Sequence, residues 1–490
     1  MRMRSGLPRY CAGLLLPIGL LVCGAWRTAR AVEAVDLVVP QMTAERHGLT
    51  RAWFTQIPGA GGRAHVTHVV QDDGMLFVQT SSAMLFAIDA ETGRVVWSAQ
   101  VGEPNRPTLR PGANGRAPAE TNENAAVEKL FDKVDASSER EIAKRHDKVV
   151  AVCNGSTLFL LNRSDGSVYI DPTNNIQWKV LLPGTPEAGP LVTDDSVYVP
   201  IVNGPVEVYP ITDSGRPLKM LSTSGHSEAP PVQVVDRIAW ATDKGVLQIS
   251  QLKTLTIEHR IETTGPITAR LTGFATKIFA GSIDGYLYCV DATTGEVEWK
   301  LTAGSSIRES PVAIPDPHMG AASRGAVFAV ADDGGMFRTS MVDGHQDWFN
   351  PSPRHFLAVS PTKVYALDAF GHMLVLNAMT GATIDSVPMP EAVLPVLNNH
   401  TDRVILSSDV GLLQCLREPE LTEPRNYVAH KVEKPAEAAA VAKQKPKSAA
   451  EPDKSKAAPK SAPSADEAPL PTDAAAPAPK EKAPAPKAAR

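Results

Sequence analysis

The chain has 490 residues, with 49 Lys and Arg against 54 Asp and Glu, 43% hydrophobic residues and five cysteines. That length and apolar content suffice for a sizeable core and exceed one small domain. From Val32 to His430 the balance is 32 basic to 46 acidic residues, net −14, whereas 431–490 carries 12 to 8, net +4; an acidic body argues against nucleic acid, whose phosphates need a basic surface.

Residues 1–31 carry Arg2, Arg4 and Arg9, an apolar run from Cys11 to Trp26 broken by Pro17, and then Ala29-Arg30-Ala31. This layout predicts a secretory signal peptide. A retained membrane anchor is the alternative, although the run is short for a span. Val22 stands where a lipobox ahead of Cys23 needs a small residue, so lipid attachment is not expected there. The chain is therefore expected in the periplasm or cell envelope of a bacterium, with or without an anchor. Residues 32–48 read as a leader segment, and Leu49 to Ile57 as a strand.

Self-similarity begins next. Ser81–Trp97 and Ile283–Trp299 both carry an acid, a Thr-Gly pair and a Trp in one frame: Asp89, Thr92, Gly93, Trp97 and Asp291, Thr294, Gly295, Trp299. Weaker copies keep Asn162 and Gly166, Thr254, Gly344 and Trp348, or Asn377, Thr380 and Gly381. The anchor positions Asp89, Asn162, Ile211, Gln251, Asp291, Ser340, Asn377 and Arg417 recur every 37 to 49 residues after a first step of 73. Alternating runs flanked by Gly-containing turns give about four strands per unit, the signature of a β-propeller. The last copy ends in Pro419 and Pro424 without an outer strand, while Leu49–Ile57, with Trp53, is an outer strand lacking a unit. Joining the two closes eight blades over 49–430 and leaves no open edge.

The first long step holds an insertion, 103–148. Its first half is loop-like, and its second places Val127, Leu130, Phe131 and Val134 at helical spacing. That stripe either packs onto the propeller or meets a partner. Cys153, Cys289 and Cys415 lie in apolar runs and are expected to be buried thiols. His65 and His68 lack a third metal ligand, one being expected to pack and the other to be exposed. The Ala-, Pro- and Lys-rich tail 431–490 is expected to be disordered and able to touch anionic cell-wall polymer or lipid head groups.

The Asp-x-x-Thr-Gly-x-x-x-Trp pattern resembles the repeat of the pyrroloquinoline-quinone-type propellers, shared by quinone-dependent alcohol dehydrogenases and the outer-membrane assembly lipoprotein BamB. The resemblance implies that Trp53, Trp97, Trp299 and Trp348, with Gly93, Gly295, Asp89 and Asp291, dock neighbouring blades. Ile170, Lys219, His259 and Asp385 fall where further tryptophans belong, which predicts an incomplete girdle. A quinone enzyme of the resembled kind also needs adjacent cysteines, which this chain lacks.

Together these features predict an all-β, eight-bladed propeller with an N-terminal strand closing the last blade. The expected function is a monomeric, non-catalytic, cofactor-free scaffold for envelope or outer-membrane proteins. A propeller binding a small ligand or cell-wall polymer in its channel is the second reading, and a quinone-dependent dehydrogenase the third.

Overall fold

The computed structural model describes residues 38–60, 64–72, 74–113, 149–212, 217–315, 325–389 and 393–427. The expected signal 1–31, the stripe Val127, Leu130, Phe131 and Val134, and the tail 431–490 lie outside these residues.

Eight antiparallel sheets form the blades of a propeller. Blade 1 sets the pattern: Val66–Asp72, Met75–Thr80, Met84–Asp89 and Val95–Gln100 pair in chain order from the axis outward. Its middle strands are almost continuously buried, because a neighbouring blade covers each face, so they are built of Leu, Val, Phe and Ile. The outer strand alternates between buried and exposed positions, and Trp97 takes its buried site. Among the described residues the apolar core falls into eight clusters, each lying between two successive blades. Burying surface between blades, and not within one, makes the ring depend on closure.

Closure comes from both ends of the chain. Val393–Pro395, Val404–Ser408 and Leu412–Arg417 form three strands of blade 8, and Thr50–Gln56 adds the fourth, with Thr50 opposite Arg417 and Gln56 opposite Leu412. The propeller starts earlier than Leu49, because Val38 and Val39 are fully buried. The Val39 N–H donates to Gln414 Oε1 at 3.0 Å and its carbonyl accepts from Gln414 Nε2 at 2.7 Å. A short helix, Gln41–Arg46, follows. After the last strand, Glu418 accepts from Tyr365 Oη at 3.0 Å and buried Arg403 donates to the carbonyls of Leu421 and Thr422.

Blade 2 narrows the expected insertion. Residues 108–112 bridge to the strand Val149–Asn154 (Thr108 to Asn154, Gly112 to Ala151) and so supply the blade's inner edge. Residues 103–113 thus belong to the ring and its connections, and the remaining insertion, 114–148, joins the first and second strands of blade 2. Among the described residues no helix is long and apolar enough to cross a membrane.

Candidate functional site

Two features run around and through the ring: the contacts that dock one blade on the next, and the channel along its axis. The docking contacts start from a five-residue turn. Asp89 Oδ1 accepts from the N–H groups of Glu91 and Thr92 and from the Thr92 hydroxyl, while the Gly93 N–H closes on the Asp89 carbonyl at 2.9 Å. Asp291 with Thr293, Thr294 and Gly295 repeats this arrangement. A register shift in the outer strand then sits just beside the docking residue: Ala87 faces Trp97 while Ile88 faces Val95, and Cys289 faces Trp299 while Val290 faces Val297. Such bulges re-aim a side chain, here toward the following blade.

The indoles end on that blade's turn. Trp53 Nε1 donates to the Ala90 carbonyl at 2.9 Å, Trp97 to Arg163 at 2.6 Å, Trp299 to Met341 at 3.3 Å and Trp348 to Ala378 at 3.0 Å. In each case the carbonyl belongs to the residue after the anchor. The ring of Trp53 covers Gly93 so closely that a Cβ there would lie 2.4 Å from it, and Gly93 has φ +68. Trp97 on Gly166, Trp299 on Gly344 and Trp348 on Gly381 repeat the fit.

The positions expected to interrupt this girdle are occupied differently. His259 Nε2 reaches the Thr293 carbonyl at 2.9 Å, with its imidazole over Gly295. Lys219 Nζ donates to the Leu255 carbonyl; Leu255 takes the glycine position with φ 51, where no indole covers it. Asp385 pairs with His47 at 2.6 Å. Ile170 is 53% exposed and docks nothing, because a turn around Asp171, whose carboxylate accepts from Thr173 and Asn174, delays the strand. The docking residue of blade 2 is instead Trp178: its carbonyl accepts from Leu160 N–H, and its fully buried indole donates to Pro210 at 3.3 Å. The omitted signal was the Trp itself, eight residues beyond the counted position.

The axis holds a cavity of about 130 Å³ lined by inner-strand residues of six blades, among them Gln71, Asp72, Arg110, Arg270, Thr272 and His400. The Asp72 carboxylate is engaged by Arg163, whose guanidinium also donates to the Asp72 carbonyl and lies 5.3 Å from the centre of the Phe77 ring. Burial, and then the charge of Arg270, disfavours the protonated form of Arg110. Burial does the same to Arg270. Nearby, His65 is exposed and His68 is packed, its Nδ1 buried without a hydrogen-bond partner. Cys153, Cys289 and Cys415 are free and buried in three different blades, their thiols pushed up by burial. Among the described residues no group of three His, Cys, Asp or Glu is placed to hold a metal ion.

The sequence profile of a family described as outer membrane protein assembly factor BamB matches residues 39–130 and 232–393, just over half of the chain. The chain belongs to the BamB family. BamB from Moraxella catarrhalis is similar over 75% of this chain and 97% of its own, with a TM-score of 0.54 and 17% identity. The computationally designed Ika8 protein is similar over 74% and 98%, with a TM-score of 0.50 and 13% identity. At such identities the likeness is one of fold. No curated protein matches this chain. The stretch that the BamB profile passes over, 131–231, holds the delayed Trp178 and Lys219, where this chain departs from the repeat.

Proposed function

We propose that this protein is an exported, non-catalytic scaffold that binds other proteins in the cell envelope and contributes to outer-membrane protein assembly. Membership of the BamB family supports the role, and the signal-like layout of 1–31 supports export.

The observation that carries a protein partner is the outer edge of blades 2 and 3. Leu181, Leu218 and Met220 are 78%, 61% and 56% exposed there, joined by Ile170 and Ile176. Their outer strands, Lys179–Leu181 and Lys219–Leu221, have only three residues each. The outer edge of blade 4 instead carries Glu258, Arg260 and Glu262, and such charge blunts an edge against further pairing. Blades 2 and 3 therefore offer apolar side chains beside backbone groups open to a partner strand. The stripe Val127, Leu130, Phe131 and Val134 of the insertion is proposed as a further contact with a partner.

Photo-crosslinking residues placed at Leu181 and Met220, with Val297 on blade 5 as the comparison, test this in intact cells. Crosslinks to outer-membrane barrel proteins or their assembly factors from 181 and 220, weakened by deletion of 114–148 and absent from 297, are expected. Equal yields at all three sites, or none, would overturn the assignment.

A further inference from the structure

We propose that the central channel binds a small oxyanion with two negative charges, of the size of phosphate or a short dicarboxylate, between Arg110 and Arg270. Nothing in the scaffold role requires this site, and it rests on separate observations.

The first is charge. The body of the chain is net −14, yet among the described residues the charged groups lining the axial cavity are Asp72, Arg110, Arg270 and His400. Asp72 is already taken by Arg163. Among the described residues neither the Arg110 nor the Arg270 guanidinium has a hydrogen bond or ion pair, while both residues line the same cavity and the charge of Arg270 reaches Arg110. Two like charges confined without a counter-charge destabilise the ring. A bridging anion removes that penalty, and guanidinium forks match carboxylate and phosphate oxygens in bidentate pairs.

The second observation is an unused polar group. Gln71 lines the same cavity, is 7% exposed, and its Oε1 is buried without a donor. Buried polar groups are almost always hydrogen-bonded. The amide offers either its carbonyl to the hydroxyl of a protonated oxyanion or its NH₂ to an anionic oxygen. The third is the makeup of the wall: among the described residues no Phe, Tyr or Trp lines the cavity to stack on a sugar ring. A volume of about 130 Å³ accommodates a small ion.

The test titrates the full chain with inorganic phosphate and with succinate by calorimetry, at ionic strength matched with chloride, and follows thermal unfolding under the same conditions. Saturable binding of at least one probe, with a raised unfolding temperature, is expected. A response to one and not the other tells phosphate from carboxylate chemistry. Arg110→Gln and Arg270→Gln should each weaken binding at least tenfold. Each should also unfold at or above the wild-type temperature without anion, because each relieves the like-charge contact. Gln71→Leu, which keeps both guanidinium groups, should weaken binding several-fold. Binding of neither probe, or equal affinity in wild type and all three variants, overturns the proposal.

Discussion

His47 Nδ1 lies 2.6 Å from a carboxylate oxygen of Asp385, and this pair occupies the seam between blades 7 and 8, where Trp53, Trp97, Trp299 and Trp348 meet a turn at other seams. Asp385 holds the tryptophan position on blade 7, facing Val375 just after a register shift. Blade 8 has no turn to receive an indole, since its last two strands come from opposite ends of the chain. His47, between the short helix and the closing strand, fills that gap.

The pair makes closure sensitive to acid. Burial alone would raise the Asp385 carboxyl, but hydrogen bonds from His47 and the Ser386 N–H, with the His47 charge, hold it below its ordinary value. A carboxyl depressed in the folded state stabilises above its unfolded value of about 3.9, and that contribution disappears as pH falls through the folded value. Asp385→Asn is expected to lower the urea midpoint at neutral pH and to match wild type at about pH 2.

His68 adds a second dependence at higher pH. Burial first, and then the charge of Arg110, lowers its pKa against an opposing hydrogen bond with Gln79. The folded state therefore resists protonating it. The stability it contributes is present above the unfolded value of about 6.5 and is lost as pH falls through the lower folded value. Thermal unfolding of wild type should weaken as pH falls from about 6.5 to 5, and His68→Gln should flatten that slope.

Two glycines with similar backbones separate strain from contact. Gly93 has φ +68 with the Trp53 ring 2.4 Å from a built Cβ, whereas Gly371 has φ +80 and nothing within 4 Å. Gly371→Ala should cost about 1–2 kcal/mol for the left-handed conformation alone. Gly93→Ala adds overpacking against the indole and should cost about 2–4 kcal/mol. Equal costs in denaturant unfolding would show that the docking contact does not constrain position 93.

Trp178 and Ile170 make a second comparison. Trp178→Ala empties a fully buried site between blades 2 and 3 and should cost about 3–5 kcal/mol. Ile170→Ala, on an exposed edge, should stay within about 0.5 kcal/mol. Denaturant midpoints of the two variants check the ordering.

The ring was legible because several docking turns share one chemistry: an Asx side chain to cap two N–H groups and a glycine that can sit beneath an indole. Asp89, Gly93 and Trp97 announce that in sequence. Counting fixed offsets failed at Trp178, where the turn at Asp171 delays the outer strand to Lys179–Leu181. Inner strands were hardest to read, being as short as Leu191–Val192. The one at 108–112 is hidden in a run with Pro107 and Pro111 that reads as loop. The channel arginines were missed for the same reason. A signal existed, since positions 190, 230, 270 and 310 hold Pro, Pro, Arg and Ser at the same point of successive repeats. A lone cation in a slot otherwise filled by small or cyclic residues marks a wall facing something other than protein.

The seam between Val39 and Gln414 spans 375 residues of sequence. A chain made at 5–20 residues per second takes roughly 20 to 75 s to travel between those points. The closing strand is thus the first of the ring to be made and the last to find its neighbour. Throughout that interval the backbone of Thr50–Gln56 has no partner strand, although Trp53 can already dock on Gly93, so the order of synthesis leaves this strand pairing as the final latch.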